Sequence, residues 1–295
     1  MMTADANVEL EVKLSLEPSA SDRARTILES QSNNSGADRM SLRNIYYDTP
    51  DFSLDSQRMA LRVRQKGSQF IQTLKTQGEF VDGGHRRLEW EWPVASAELD
   101  RSLLMQTPLV GQADTERLQP VFETNFERQV VMLRESGAGA ETLVEVAIDQ
   151  GRILSGDRAS ELSEVEFELK SGHPEVLRRH AVRLAESVPV FLNVLSKAEQ
   201  GYHLAGVLSP EPDLSARPDV YGFFRCLSAC WLRQVPFPDQ GSDFALIRNA
   251  AQATGMSEEL EQLLGQLLAG QPVNSLISDG LLGRVQLALA GFSPD

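Results

Sequence analysis

Residues 8–16 alternate strictly, with Val8, Leu10, Val12 and Leu14 apolar and Glu9, Glu11 and Lys13 between them. Period two predicts a strand with one apolar face and one face carrying two carboxylates and an ammonium. The pattern recurs in seven further runs, 44–49, 60–65, 69–76, 85–94, 126–134, 142–150 and 162–170. Each combines alternation with β-branched or aromatic residues and is bounded by Gly, Pro, Asp or Ser, which makes eight predicted strands. Helical spacing is confined to 18–29, 98–105 and 175–187 in this part of the chain, the last through Val176, Leu177, Val182 and Leu184. Short connections favour antiparallel meanders over βαβ units.

The polar faces share a theme. Arg62 and Arg64 alternate with Leu61 and Val63, and Thr73 shares a face with Lys75. Arg87, Glu89 and Glu91 alternate with Leu88, Trp90 and Trp92, which places the tryptophans on the opposite side from the charges. Glu145 and Asp149 alternate with Val146 and Ile148, and Glu164, Glu166 and Glu168 with Val165, Phe167 and Leu169. In a sandwich these faces would lie in water, and for the first strand alone that is the favoured reading. In a sheet that closes on itself they would line a lumen of cations and carboxylates, fit to hold a polyanion with metal ions. Repetition over eight strands shifts the balance towards the lumen.

Composition narrows the class. The chain has 295 residues, 41% of them hydrophobic, enough for one large or two modest domains. The start, MMTADANVEL, lacks the basic and apolar pattern of a signal peptide, and no 18 apolar residues run together, so a soluble cytoplasmic protein is expected. A formal net charge of −14 argues against general affinity for nucleic acid or an anionic membrane; a bound anion needs a local basic site. Only five lysines occur, Lys13, Lys66, Lys75, Lys170 and Lys197. Three of them close predicted strands or open a predicted helix at motif positions, whereas Lys66 and Lys170 read as solvated. Cys226 and Cys230 read as core. The four histidines, His85, His173, His180 and His203, are scattered, which argues against a histidine metal site and for surface or capping roles. Tyr46, Tyr47 and Asp48 read equally as a structural strand end or as lumen residues. HExxH, GxSxG and a Walker A loop are absent.

Pro210, Pro212 and Pro218 mark 208–218 as a linker between a domain at 1–207 and a helical unit at 219–295. That tail has no Lys, four Arg and eight Asp or Glu, with helical spacing at Phe223, Leu227, Cys230 and Trp231, then Leu260, Leu263, Leu264 and Leu267, then Leu281, Leu282, Val285 and Leu289. It reads as an appendage that packs on the first domain or mediates a homodimer.

Taken together, the motifs resemble the CYTH superfamily, the triphosphate tunnel metalloenzymes, and most closely its bacterial inorganic triphosphatase branch. Glu9-Leu10-Glu11-Val12-Lys13 matches the ExExK signature. Asn44 to Pro50, Leu61 to Arg64, Thr73 to Lys75, His85 to Glu89, Phe126 to Arg128, Ile148 to Gly151, Glu164 to Glu168 and Leu195 to Ala198 follow in the family's order. The resemblance covers roughly residues 6–205.

It implies an eight-stranded antiparallel β-barrel tunnel that holds a triphosphate with Mg²⁺ or Mn²⁺, flanked by helices. Lys13, Arg62, Arg64, Lys75, Arg87, Arg128 and Lys197 would hold phosphate, Arg through its planar fork and Lys as a point charge. Glu9, Glu11, Asp149, Glu164, Glu166 and Glu168 would hold the metal as hard oxygen donors, the register of the last three being open. Glu9, Glu11, Lys13, Arg62, Arg64 and Lys75 form the catalytic set that the resemblance implies. Glu89 is a further tunnel residue, and Glu91 the weaker candidate beside it; Glu145 either lines the tunnel or stabilises its cations. Relatives often carry a histidine-rich helical CHAD domain, thought to bind polyphosphate; this tail has no histidine and is read as divergent or truncated. The expected reaction is hydrolysis of tripolyphosphate to pyrophosphate and phosphate. Thiamine triphosphatase, class IV adenylyl cyclase and a non-catalytic polyphosphate-binding module are the alternatives.

Overall fold

A computed structural model describes residues 7–32, 39–81, 84–136, 141–207, 210–238 and 243–291. Each of the eight predicted strands is present: β1 (Asn7–Ser15), β2 (Arg39–Asp48), β3 (Ala60–Lys66), β4 (Gln69–Lys75), β6 (Gly84–Val94), β7 (Gln119–Ser136), β8 (Glu141–Ser155) and β9 (Arg158–Ser171). They pair antiparallel in the order β1-β9-β8-β7-β2-β3-β4-β6, and β6 returns to β1, so the sheet closes into a barrel. Two short strands extend it, β5 (Glu79–Val81) on β6 and β10 (Phe191–Leu192) on β1.

The β7, β8 and β9 ladder runs longer than predicted, from Gln119 through Ser155 and back from Arg158. Its extra length is exposed on one side, as at the Arg152–Glu161 pair, and buries Phe122 and Ile153 on the other. The predicted helices are α1 (Ser21–Gln31), entered through a 3₁₀ turn at Pro18–Ala20, and α4 (Glu175–Ala185). The predicted helix at 98–105 shrinks to the single turn α3 (Arg101–Leu104), capped by the Asp100 carboxylate on the Ser102 N–H. Another single turn, α2 (Ser53–Ser56), follows β2, and α5 (Lys197–Ala205) opens with a capping box of Ser196 and Glu199.

Outward apolar faces are covered in two places. Val12, Leu14, Val146, Val165 and Phe167 pack under Ala24 and Leu28 of α1 and Val176, Leu177 and Leu184 of α4. Leu61, Val63, Leu74, Trp90 and Trp92 pack against Leu104 and Leu109, so both tryptophans lie outside the lumen, as their alternation predicts. The inner face departs from expectation, because it is not charged throughout. Leu42, Tyr46, Phe122, Phe126, Ile153 and Leu162 share the inward parity of Arg62 and Asp149, and they pack with Ala198 and Tyr202 of α5. Helix α5 therefore stoppers this part of the barrel. Gly201 permits it, since a Cβ there would lie 2.1 Å from the Phe122 ring.

The tail forms α6 (Val220–Arg233), α7 (Ala245–Thr254), α8 (Ser257–Leu268) and α9 (Leu281–Leu289). Their buried Phe223, Phe224, Leu227, Leu263 and Val285 are continuous with α4 and the β10 region in one apolar core. Leu214, within the Pro-rich segment, is buried in the same core, as are Cys226 and Cys230. Among the described residues no helix is long and apolar enough to cross a membrane.

Candidate active site

Closing the barrel brings the alternating charges to one cavity of about 230 Å³. Glu9, Glu11, Lys13, Arg62, Arg64, Lys75, Arg87, Glu89, Arg128, Glu145, Glu166, Glu168 and Lys197, all singled out in the sequence, line it. Register orders the acidic strand: Glu168 lies opposite Glu11, Glu166 opposite Lys13, and Glu164 opposite Ser15. Asp149 and Glu164 do not line the cavity. They are fully buried, and Lys197 separates them from it by pairing with both.

Three residues on the lining were read differently or left open. Glu91 faces the lumen and accepts from Thr73 Oγ1 at 3.1 Å. Lys170, expected to be solvated, is a lining residue paired to Glu168 at 2.6 Å and Glu145 at 3.6 Å. Both share the parity of residues already assigned to the lumen, which was the available signal. Tyr46 lines the cavity, whereas Tyr47 packs in the outer core. Asp48 is structural, accepting from the backbone N–H groups of Thr49, Leu54 and Asp55 and from Tyr202 Oη. Two histidines depart from the expected surface or capping roles. His85 packs edge-on against Phe80 and Tyr221, and His180 is buried in α4 with Nε2 3.5 Å from Glu135. Each occupies an aromatic or helix-packing slot that scattered spacing does not reveal.

Most lumen charges are paired. Lys75 Nζ lies 2.8 Å from Glu9 and 3.2 Å from Glu89, and Arg87 reaches Glu9 at 2.9 Å and Glu11 at 2.7 Å. Arg128 forks onto Asp149 with two bonds of 2.7 Å and meets Glu166 at 2.8 Å, where Lys197 also sits at 2.8 Å. Arg64 differs. Its Nε donates to Asn44 Oδ1 at 2.8 Å, and no carboxylate among the described residues lies within ion-pair distance. Lys13 donates to the Leu195 carbonyl.

Protonation follows. Burial, then the neighbouring Arg62 and Arg128, push the Arg64 guanidinium down to about 9. Burial pushes Glu9 up, but Lys75 and Arg87 outweigh it and hold its carboxyl well below the usual range. Burial likewise opposes the charge of Lys197, yet Asp149, Glu164 and Glu166 hold it above the ordinary lysine value. Glu164 is raised to about 7 because burial exceeds the pull of Lys197 and Lys13, and neither of its oxygens makes a well-directed hydrogen bond.

The carboxylates suit a hard divalent cation. The carboxylates on the lumen wall are hard oxygen donors, and no His or Cys is among the described residues that line this cavity. The sequence-predicted set divides in two. Glu9, Glu11 and Glu168 sit on neighbouring strands at the cavity surface. Asp149 and Glu164, behind the cavity wall, and Glu166, on it, bring one oxygen each within 4.8 Å of one another.

A second cavity, of about 470 Å³, shares Glu11, Lys13, Lys75 and Arg87 with the first and extends to Met59, His85, Tyr202 and, on α6, Tyr221 and Arg225. Asp55 lies on its wall, and burial, with Asp48 and Glu199 nearby, raises its carboxyl to about 6. Between its unfolded pKa of about 3.9 and that raised value the folded state holds the extra proton. Stability contributed by this group is thus lost as pH rises through about 6. Asp55→Asn is expected to stabilise the protein by roughly 1 kcal/mol at pH 8, discounted for partial exposure, and by nothing at pH 4. Urea melts at the two pH values check the difference.

The structure is a closed antiparallel barrel with paired cations and carboxylates on its inner wall. The family model for the CYTH domain matches residues 7–202, and the chain belongs to that family. It is 34% identical over 203 residues to an inorganic triphosphatase of Haemophilus influenzae, a match covering 66% of this chain and 54% of that protein. The chain thus spans about half the length of this curated relative. Among solved structures, it resembles a putative adenylyl cyclase from Hippeastrum, described as having a dominant triphosphatase activity, at 19% identity and a TM-score of 0.49, covering 68% of this chain and 98% of that one. A putative adenylate cyclase from Bacillus halodurans gives 20% identity and a TM-score of 0.44, with 66% and 97% covered.

Proposed function

We propose that the protein hydrolyses inorganic tripolyphosphate to pyrophosphate and phosphate in its lumen, with Mg²⁺ or Mn²⁺. The observation that carries this reading is Arg64, a half-buried cation on the lumen wall among other cations, with no carboxylate within ion-pair distance among the described residues. A partly desolvated charge so placed calls for an anion. Lys13, Arg62, Arg64, Arg128 and Lys197 grip the phosphates, and Lys75 and Arg87 exchange part of their contact with Glu9 and Glu11 for substrate oxygens. Bidentate guanidinium contacts fix orientation, and the ammonium groups neutralise charge on the transferred and leaving groups. Glu9 and Glu11, with Glu166 and Glu168, are the residues proposed to hold the cation, and Lys75 and Arg87, against burial, favour the ionised form of Glu9. Bound there, a divalent ion would supply charge neutralisation and a more acidic water. Asp149 and Glu164 act one layer back, by fixing Lys197 and, through Asp149, Arg128.

A second reading, an organic triphosphate, is favoured by one observation. The second cavity is larger than the lumen and carries Tyr221, Met59 and His85, which could receive an aromatic substituent. A panel of tripolyphosphate, thiamine triphosphate, ATP and long-chain polyphosphate, scored for phosphate and for cyclic nucleotide, separates the readings. The highest kcat/KM is expected for tripolyphosphate; a hundredfold preference for an organic triphosphate would overturn the inorganic assignment, and phosphate release from none would end both.

A further inference from the structure

The segment that carries Lys197 into the lumen and bonds Lys13 is fastened from behind by the C-terminal helices. Strand β10 pairs with β1 beside Lys13, at Leu14–Leu192 and Ser15–Phe191. The chain then turns: Asn193 N–H donates to the Lys13 carbonyl at 3.2 Å, Asn193 Nδ2 donates to Ser15 Oγ at 3.0 Å, and Leu195 N–H donates to Asn193 Oδ1 at 3.0 Å. The Leu195 carbonyl accepts from Lys13 Nζ, and two residues later Lys197 opens α5 and enters the lumen.

Among the described residues no further strand covers the outer edge of β10 at Leu192. Gln286 of α9 takes that place. Its Oε1 accepts from Leu192 N–H at 2.9 Å and its Nε2 donates to the Leu192 carbonyl at 3.0 Å, so one side-chain amide satisfies both backbone groups. Gln286 is fully buried, as is Ser228 of α6, whose Oγ accepts from Val194 N–H at 3.2 Å. Arg225, also on α6, reaches Glu199 of the α5 capping box at 3.1 Å. Close approach is built in, since a Cβ at Gly283 on α9 would lie 2.2 Å from the Val190 carbonyl. Buried backbone groups with no water to turn to hold their partners in place, so these bonds fix the path of 192–197.

We infer that Gln286 and Ser228 are positioning residues for phosphate binding, acting through Lys13 and Lys197, and that this gives the C-terminal helices a part in the site. The inference rests on the lumen being a phosphate site.

The test uses the full-length protein and inorganic tripolyphosphate without metal, with binding measured by calorimetry well below the melting temperature. Gln286→Met keeps volume and helix propensity while removing both bonds, and Ser228→Ala removes one. Leu263→Ala, in the core of α8 away from β10, is the control for lost stability alone. Kd is expected to rise roughly tenfold in Gln286→Met, since small misplacements of binding groups have large effects. A smaller rise is expected in Ser228→Ala, and none in Leu263→Ala even where its melting temperature falls as far. Should Gln286→Met not fold, Ser228→Ala against Leu263→Ala decides. An unchanged Kd in the folded positioning variants, or an equal rise in Leu263→Ala, overturns the inference while leaving the function standing. Wild-type protein that binds no tripolyphosphate overturns the functional reading, and this inference with it.

Discussion

Glu11→Ala is expected to lower tripolyphosphate turnover by about a thousandfold or more, because removing a donor from a preorganised charged site loses transition-state stabilisation directly. The barrel should survive. Glu11 is buried and bonded to Arg87 at 2.7 Å, but Arg87 retains Glu9 at 2.9 Å, so the guanidinium is not stranded. The stability loss should therefore be about 1–2 kcal/mol, well short of the 3–5 kcal/mol typical when a buried pair is broken outright. Initial rates at saturating Mg²⁺ and Mn²⁺, with circular dichroism melts alongside, check both halves. Turnover within a few-fold of wild type in a folded Glu11→Ala protein would remove Glu11 from the site.

Arg64→Gln should show the opposite sign in its two readouts. Arg64 is held near Arg62 and Arg128 with no carboxylate within ion-pair distance among the described residues, and burial with those neighbours depresses its pKa to about 9, so the cation destabilises the ligand-free fold. For a base with a lowered folded pKa, that penalty is fully present below about 9 and is relieved only as pH rises beyond it. Removing the charge while keeping a donor for Asn44 should leave stability unchanged or raise it by roughly 1–2 kcal/mol at pH 7. Turnover should fall about a hundredfold or more, since the lost charge-assisted contacts act on the transferred phosphates. Thermal melts and steady-state kinetics on the same preparation test the pairing of effects. A destabilised variant with unchanged kinetics would mark Arg64 as structural.

The barrel was legible because its strands carry period-two patterns and most of them have a charged face, and closure needs only that those faces agree. The same parity placed Trp90 and Trp92 outside and also puts Lys170, read as solvated, on the inner face. The stopper was not legible. Leu42, Phe122, Phe126, Ile153 and Leu162 are apolar on the inward face, and alternation alone cannot say that one end of a lumen is dry. Nor could it separate Asp149 and Glu164 from Glu166 and Glu168, because all share one parity and only depth along the barrel distinguishes them. The bracing of Leu192 by Gln286 joins residues 94 apart, and a lone glutamine in an apolar helix gives no sign of its partner.

The central claim is that triphosphate and cation meet on the inner wall of this barrel. Crystals grown with Mn²⁺ and tripolyphosphate, on protein slowed by Glu11→Gln if turnover clears the ligand, test it by anomalous scattering. The expected result is manganese density at the Glu9, Glu166 and Glu168 carboxylates, with phosphate oxygens against Arg62, Arg64, Arg128 and Lys197. Manganese and phosphate ordered only outside the lumen, with Arg64 still bonded to Asn44 alone, would contradict it.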